Sequence, residues 1–251
     1  MKRIILTCIL LVPTIFGSFG LITQKPSWVR IATYSTSLQG RTLSQKHNSI
    51  LAAQKLDGVV IPPGKVFSFN KTVGTWSRYE GYRKAPVSYN GQMIKAWGGG
   101  VCQTSTTLYN TALLAGLEII ERNQHRFAPE YVPPGRDAAV AFENIDLRFK
   151  NPYPFPILIK NRTTNERLQF EILGKKPLNC KIQIVHEIHK VNVPKEFSLQ
   201  SSSFVSRTAH PGNPGFAVTV YRVFQSDRGI RKELVSRNSY PSAPRITFSS
   251  R

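Results

Sequence analysis

The sequence is poor in cysteine and poor in acid. Cys8, Cys102 and Cys180 are its only thiols, too few and too scattered for a disulfide-stapled scaffold or a cysteine-based zinc site. Asp and Glu number 14 against 34 Lys and Arg, a formal net charge of +20. The excess lies on both sides of residue 175 and implies a polyanionic partner rather than any particular fold. Heptads, internal repeats and low-complexity tracts are lacking, which excludes coiled coils and solenoids. So are a P-loop, a dinucleotide fingerprint and a Gly-x-Ser-x-Gly elbow, which excludes the chemistries those motifs serve.

What is present begins with an address. Met1-Lys2-Arg3 precedes the apolar run Ile4–Phe16 and the small-residue stretch Gly17-Ser18-Phe19-Gly20, the pattern of an export signal. Uncleaved, the run reaches Ile22 and approaches the roughly 20 residues that span a bilayer. Lys2 and Arg3 then stay cytoplasmic and the rest lies outside. Residues 1–22 are therefore a signal peptide or N-terminal membrane anchor, and residues 23–45 read as a polar linker. Export makes anionic wall polymers or a membrane surface the partners of the basic charge, with no nucleic acid expected in vivo. It also permits a disulfide between Cys102 and Cys180, a reading that competes with any reactive role for Cys102.

The periodicities predict an α+β chain. Ile50, Leu51, Ala53 and Leu56 recur at helical spacing over His47–Leu56, and Asp57-Gly58 stops that helix. Val59–Phe69 reads as two short strands about Pro62-Pro63-Gly64. Val87–Ile94 carries the Asn90-Gly91 pair of a tight hairpin. A main helix with a broad apolar face is predicted over about Thr104–Glu121. Strands follow at Ile145–Phe149, Pro156–Lys160 and Leu168–Leu173, with a break at Gly174–Pro177. The segment 176–251 adds strand-like runs at Ile182–Val185, Ala217–Phe224 and Lys232–Val235 around a loop at Pro211–Gly215. The expected architecture is a mixed, mostly antiparallel sheet on a central helix, with a small C-terminal β segment.

Chemistry concentrates at Gly98-Gly99-Gly100-Val101-Cys102-Gln103. Glycines allow positive φ and let consecutive N–H groups converge. A cysteine where such a turn enters a helix meets the positive end of the dipole, which favours thiolate. The free N–H groups there suit an oxyanion. A small buried cysteine under a tight turn explains the same pattern. His125, with an unperturbed pKa of about 6.5, suits proton transfer near neutrality, or is a surface histidine flanked by Gln124 and Arg126. Arg136 follows the rigid Pro133-Pro134-Gly135 turn and suits a peptide carboxylate; the alternative is that Arg136 and Asp137 only close their own turn. Trp76, Tyr79, Tyr82, Trp97 and Tyr109 are groove or core aromatics. His186-Glu187-Ile188-His189 lies on a strand-like run, where residues three apart face opposite sides, so no metal site is assigned.

Ordered blocks then point to a family. Pro63-Gly64 with Phe67-Ser68-Phe69-Asn70, Gly81-Tyr82 with Ala85-Pro86, and Gly98–Gln103 with Ser105–Asn110 resemble the VanW domain family. Glu121-Arg122, His125, Tyr131–Ala138 and Lys150-Asn151-Pro152 continue the match, placing a VanW-like domain at 46–175. The tail from Pro211, with Tyr221-Arg222 and Tyr240–Ile246, distantly resembles a G5 module. The family's members are bacterial envelope proteins first associated with glycopeptide resistance, and some act as cysteine L,D-transpeptidases on peptidoglycan. The resemblance implies Cys102 as nucleophile and His125 as general base and acid. Arg136, Asp137, Gly99, Gly100, Gln103 and Tyr131 would bind or orient the substrate, a peptidoglycan stem peptide, with no cofactor. The competing expectation is a non-catalytic, basic wall-binding or accessory protein; a thiol protease or amidase would share the nucleophile and differ in using water as acceptor.

Overall fold

The structure, a computed structural model, describes residues 27–89, 92–142, 144–201 and 207–250. The predicted leader at 1–22, with Cys8, and the Asn90-Gly91 turn lie outside those residues. Among the described residues no helix is long and apolar enough to cross a membrane.

The fold is α+β. One four-stranded antiparallel sheet contains β1 (Val29–Ser37), β2 (Val60–Ile61), β8 (Ile157–Asn161) and β9 (Arg167–Gly174), in the order β1-β9-β8-β2. The first of these strands falls within the segment read as a linker. Its polar composition disguised it, because the face it buries meets a hydroxyl-rich helix. Thr36 is buried and its hydroxyl lies 2.8 Å from that of Thr107.

Helix α1 (Leu43–Leu56) begins four residues before the apolar periodicity. Thr42 and Gln45 form a reciprocal capping box that satisfies the first-turn amides. The Pro62-Pro63-Gly64 turn separates β2 from β3 (Val66–Ser68) as predicted, but the two strands belong to different sheets. The prolines offer no N–H to a ladder, and Asn151 bridges the turn instead through Gly64, Lys65 and Ile61. The second sheet has the order β3-β7-β6, with β6 (Glu118–Glu121) and β7 (Arg148–Lys150). Strands β4 (Lys84–Tyr89) and β5 (Gln92–Trp97) pair antiparallel as the predicted hairpin.

After the short helix α2 (Phe69–Val73), the central helix, α3 (Val101–Leu114), packs against β1, β9 and α1. Every residue from Gln103 to Leu113 is buried. The helix ends at Leu114, well before Glu121, because Gly116 (φ 71°) takes the left-handed position of a Schellman motif. The Gly116 and Leu117 amides donate to the Leu113 and Ala112 carbonyls. The rest of the predicted helix is the turn and β6.

The C-terminal segment is larger than expected. Strands β10 (Lys181–Asn192), β13 (Gly215–Ser226) and β14 (Gly229–Tyr240) make one antiparallel sheet. Strands β11 (Glu196–Ser201), β15 (Ala243–Ser250) and β12 (Arg207–Asn213) make another, with β11 parallel to β15. The loop predicted at Pro211–Gly215 is partly the end of β12. That strand lies at a sheet edge, where proline is tolerated.

The turn into α3 requires glycine. Gly98 and Gly100 have φ of 77° and 111°, and a Cβ on Gly100 would sit 2.5 Å from the Gln45 carbonyl oxygen. Gly100→Ala is expected to destabilise by about 2–4 kcal/mol through backbone strain and overpacking. Denaturant unfolding checks this; an unchanged midpoint contradicts the geometry.

Candidate active site

Polar side chains of α1 hold the glycine turn from below. Asn48 Nδ2 donates to the carbonyls of Gly99 (2.9 Å) and Arg83 (2.8 Å), and Ser49 Oγ donates to that of Gly100 (2.9 Å). The turn places Cys102 in the first turn of α3, at the positive end of the dipole. The Val101 and Gln103 amides donate to the Gly98 and Gly100 carbonyls, while the Cys102 amide makes no backbone hydrogen bond among the described residues.

The second half of the site is an irregular loop stitched to the helix. Ser105 Oγ donates to the Ala138 carbonyl (2.6 Å), and the Ala138 amide donates to Thr106 Oγ1 (2.9 Å). Asn110 Nδ2 donates to the Arg136 carbonyl (2.8 Å). A loop lacks a ladder partner, so these side chains satisfy backbone groups that burial would otherwise strand. Asp137, between those anchors, is wholly buried.

Both Asp137 oxygens are occupied. Oδ2 accepts from the His125 backbone amide (2.7 Å) and from its ring Nδ1 (2.6 Å). Oδ1 accepts from Arg122 Nη2 (2.8 Å) and the Tyr240 hydroxyl (2.5 Å). Burial pushes this carboxyl up, but the His125 hydrogen bond and the Arg122 charge outweigh it and hold it below its ordinary value. An ionised carboxylate on Nδ1–H fixes the tautomer and leaves Nε2 for the sulfur.

Cys102 is half-buried and interacts with that imidazole. As a thiol, Sγ donates to the Val140 carbonyl (3.3 Å); transfer of its proton to Nε2 gives an ion pair. Burial raises the thiol pKa, yet the hydrogen bond and charge of His125 bring it below the ordinary 9.0. Burial likewise opposes the imidazolium, but Asp137 and Cys102 push His125 up to about 10. Cys102, His125 and Asp137 thus form a hydrogen-bonded row in which both shifts favour the proton on the ring.

The thiol opens into a cleft of about 430 Å³ whose lining includes Trp76, Trp97, Gly99, Gly100, Arg41 and Tyr131. The Tyr131 ring lies under the Arg41 guanidinium (5.0 Å). Burial and the neighbouring sulfur raise its phenol above the ordinary range, so it remains a hydrogen-bond donor. A larger cavity, about 820 Å³, lies away from this chemistry between Tyr153 and Cys180. Cys102 and Cys180 are both free thiols, so the disulfide that the sequence permits is not made.

Two predicted site residues make structural contacts. Gln103 borders the cleft, and its amide donates to Thr36 Oγ1 (3.1 Å) and the Ser37 carbonyl (2.7 Å), so it also binds α3 to β1. Arg136 turns away from the cleft, donating to Asn110 Oδ1 (2.7 Å) and lying over the Tyr34 ring (5.0 Å). Tyr82 and Tyr109 are core, while Tyr79 is exposed. His189 is hydrogen-bonded to Thr219 (2.8 Å). Sequence reasoning missed Arg122, Tyr240, Asn238 and Arg41; Arg122 stood in a VanW block and Tyr240 in the G5-like stretch, both without a role.

The family described as "VanW like protein" matches residues 44–173. The chain belongs to the VanW family. It is 34% identical over 171 residues to "Uncharacterized protein YoaR" of Bacillus subtilis (strain 168), covering 68% of this chain and 56% of that one. It is 34% identical over 110 residues to "Vancomycin B-type resistance protein VanW" of Enterococcus faecalis (strain ATCC 700802 / V583), covering 41% of this chain and 40% of that one. The chain thus spans about half the length of these relatives. Among solved structures, the IgA1 protease G5 domain is similar over 30% of this chain and 94% of its own, with 18% identity and a TM-score of 0.20. HP0197-G5 is similar over 28% and 93%, with 23% identity and a TM-score of 0.17.

The Cys102–His125–Asp137 arrangement has two measurable pH consequences. Alkylation of Cys102, read by peptide mapping, should show a midpoint below 9.0 that rises in His125→Ala; an unmoved midpoint contradicts the ion pair. Stability follows from linkage. The raised His125 pKa stabilises fully below 6.5 and loses its effect as pH rises through about 10; the lowered Cys102 pKa acts above 9.0 and is lost as pH falls. Between about 6.5 and 9 the pair holds one proton in both folded and unfolded states. Its contribution is therefore flat there and declines from 9 to 10, when only the folded state keeps that proton. Thermal midpoints of wild type relative to Cys102→Ala/His125→Ala check this; a steep slope between pH 7 and 9 contradicts it.

Proposed function

We propose that this protein is an exported cysteine acyltransferase acting on peptidoglycan stem peptides, of the L,D-transpeptidase kind. The observation that carries the reading is that Cys102 and His125 line one aromatic-walled cleft, with the buried Asp137 carboxylate on the far ring nitrogen. The family membership, and a relative named for vancomycin resistance, favour the cell envelope as the place of action.

The Cys102 thiolate attacks the carbonyl preceding a terminal D-alanine. The Cys102 amide receives the developing oxyanion. As the C–N bond breaks, the His125 imidazolium gives its proton to the departing D-alanine amine, leaving a thioester on sulfur. An amine of a second stem then attacks the thioester, and neutral His125 takes its proton. Collapse releases the new amide and restores thiolate and imidazolium. Products of this 3-3 type lack the D-Ala-D-Ala terminus that glycopeptides bind, which connects the chemistry with the relative's name.

Arg41 takes the role first read for Arg136. It lines the cleft, stacks on Tyr131 and makes no ion pair among the described residues, so its guanidinium is available to the D-alanine carboxylate. The overall charge of +20 supports retention on anionic wall polymers, as the wall-binding alternative also requires.

Purified protein should gain the mass of a carbapenem and convert tetrapeptide stems into cross-linked dimers, with both activities abolished in Cys102→Ala. Arg41→Ala should lower kcat/KM by about 10–100-fold. A wild type that is never acylated and forms no dimer favours the accessory wall-binding role; release of D-alanine without dimers indicates water as acceptor.

A further inference from the structure

The C-terminal sheet reaches into the triad. Tyr240, the last residue of β14, is buried and donates to Asp137 Oδ1 (2.5 Å), while accepting from the Gly135 amide (3.1 Å). Asn238, two residues earlier on the same strand, accepts from Arg122 Nη1. Arg122 in turn holds Asp137 at two points, Nη2 to Oδ1 (2.8 Å) and Nε to the backbone carbonyl (2.5 Å). The carboxylate is thus gripped on its far oxygen by Arg122 and by Tyr240, 103 positions downstream, and on its near oxygen by His125.

We infer that the C-terminal β segment is a working part of the nucleophile site, with Tyr240 and Asn238 as positioning residues that set the Asp137–His125 geometry. The inference rests on the triad of the proposed function but not on its substrate. A carboxylate has two degrees of freedom that matter here: rotation of its plane and its approach to Nδ1. His125 alone cannot fix both. With Tyr240 and Arg122 on Oδ1, only Oδ2 is presented to the ring, and the ring presents Nε2 to sulfur. Without the phenol, the carboxylate is free to rotate toward Arg122 and away from His125.

Charge and orientation predict opposite shifts, which makes the role testable. The groups acting on Asp137 are His125, Arg122, Tyr240 and Tyr109, whose ring lies 5.7 Å from the Arg122 guanidinium; Arg222 of β13, itself paired with Glu233, acts on Tyr109. Around the sulfur stand His125, Asp137 and Tyr131, with Arg41, Arg126 and Glu130 in the cleft wall. Removing only the phenol oxygen leaves a carboxylate with fewer donors. By charge alone that strengthens the imidazolium and holds the thiolate at lower pH. If Tyr240 positions the carboxylate, the ring is released and the thiol midpoint rises.

The test uses the full chain and alkylation by iodoacetamide as a function of pH, with Cys102 quantified by peptide mapping. Tyr240→Phe retains the buried ring, and Asn238→Ala removes the second contact without touching the first. Each is expected to raise the Cys102 midpoint by about one pH unit, about tenfold lower reactivity at neutral pH, with far-ultraviolet dichroism unchanged. Asp137→Asn supplies the upper limit. Should Tyr240→Phe fail to fold, Asn238→Ala decides alone. A low wild-type midpoint that stays unmoved, or moves down, in the folded variants overturns the role of the tail and leaves the triad standing. A wild-type midpoint at ordinary thiol values removes the ion pair, and both readings fall together.

Discussion

A single buried carboxylate organises this molecule. Asp137 is fully removed from water, and an uncompensated charge in that position would cost several kcal/mol. The surroundings supply what water would have: His125 on one oxygen, Arg122 and Tyr240 on the other. Those demands account for several otherwise unrelated features. The Ser105, Thr106 and Asn110 side chains exist on a helix buried all round because the loop carrying Asp137 needs partners for its backbone. Arg122 sits just past β6 because a guanidinium fork can serve a carboxylate and a carbonyl at once. β14 packs where it does because Tyr240 closes the remaining lone pair.

The glycine turn solves a complementary problem. A reactive sulfur must stand at the end of a helix yet remain reachable, so the backbone before it has to fold back tightly against α1. Gly98 and Gly100 provide the left-handed geometry, and Gly99 lets the chain pass the Pro86 carbonyl, 2.7 Å from where its Cβ would be. Electrostatics then runs in one direction, from Asp137 through His125 to Cys102. The helix dipole and the buried carboxylate oppose each other at sulfur, since Asp137 acts to raise the thiol pKa. The imidazolium between them settles the sign.

Much of this was legible before any coordinates. A cysteine between a glycine turn and a helix, a histidine and an Asp-bearing Pro-Gly turn carry their chemistry in residue type, and the fold brings those three together. Residue type could not tell which arginine serves which partner. Arg136 is adjacent to Asp137 in sequence, but the tight turn sends its side chain toward Asn110 and Tyr34, and Arg122 reaches the carboxylate instead. Gln103 borders the cleft beside Cys102, but its amide is committed to β1. The strand at 29–37 was hidden by a polar face whose partner is polar too. Tyr240 carried no local signal, since its role exists only through a contact spanning 103 residues.

The account stands on the location of one proton. Nitrogen-15 NMR of the His125 ring, followed through a pH titration of the full chain, reads it directly. The account predicts both ring nitrogens protonated at pH 8, with deprotonation near 10 and loss of that behaviour in Cys102→Ala/Asp137→Asn. A ring that is already neutral at pH 8 and titrates near 6.5 would contradict it.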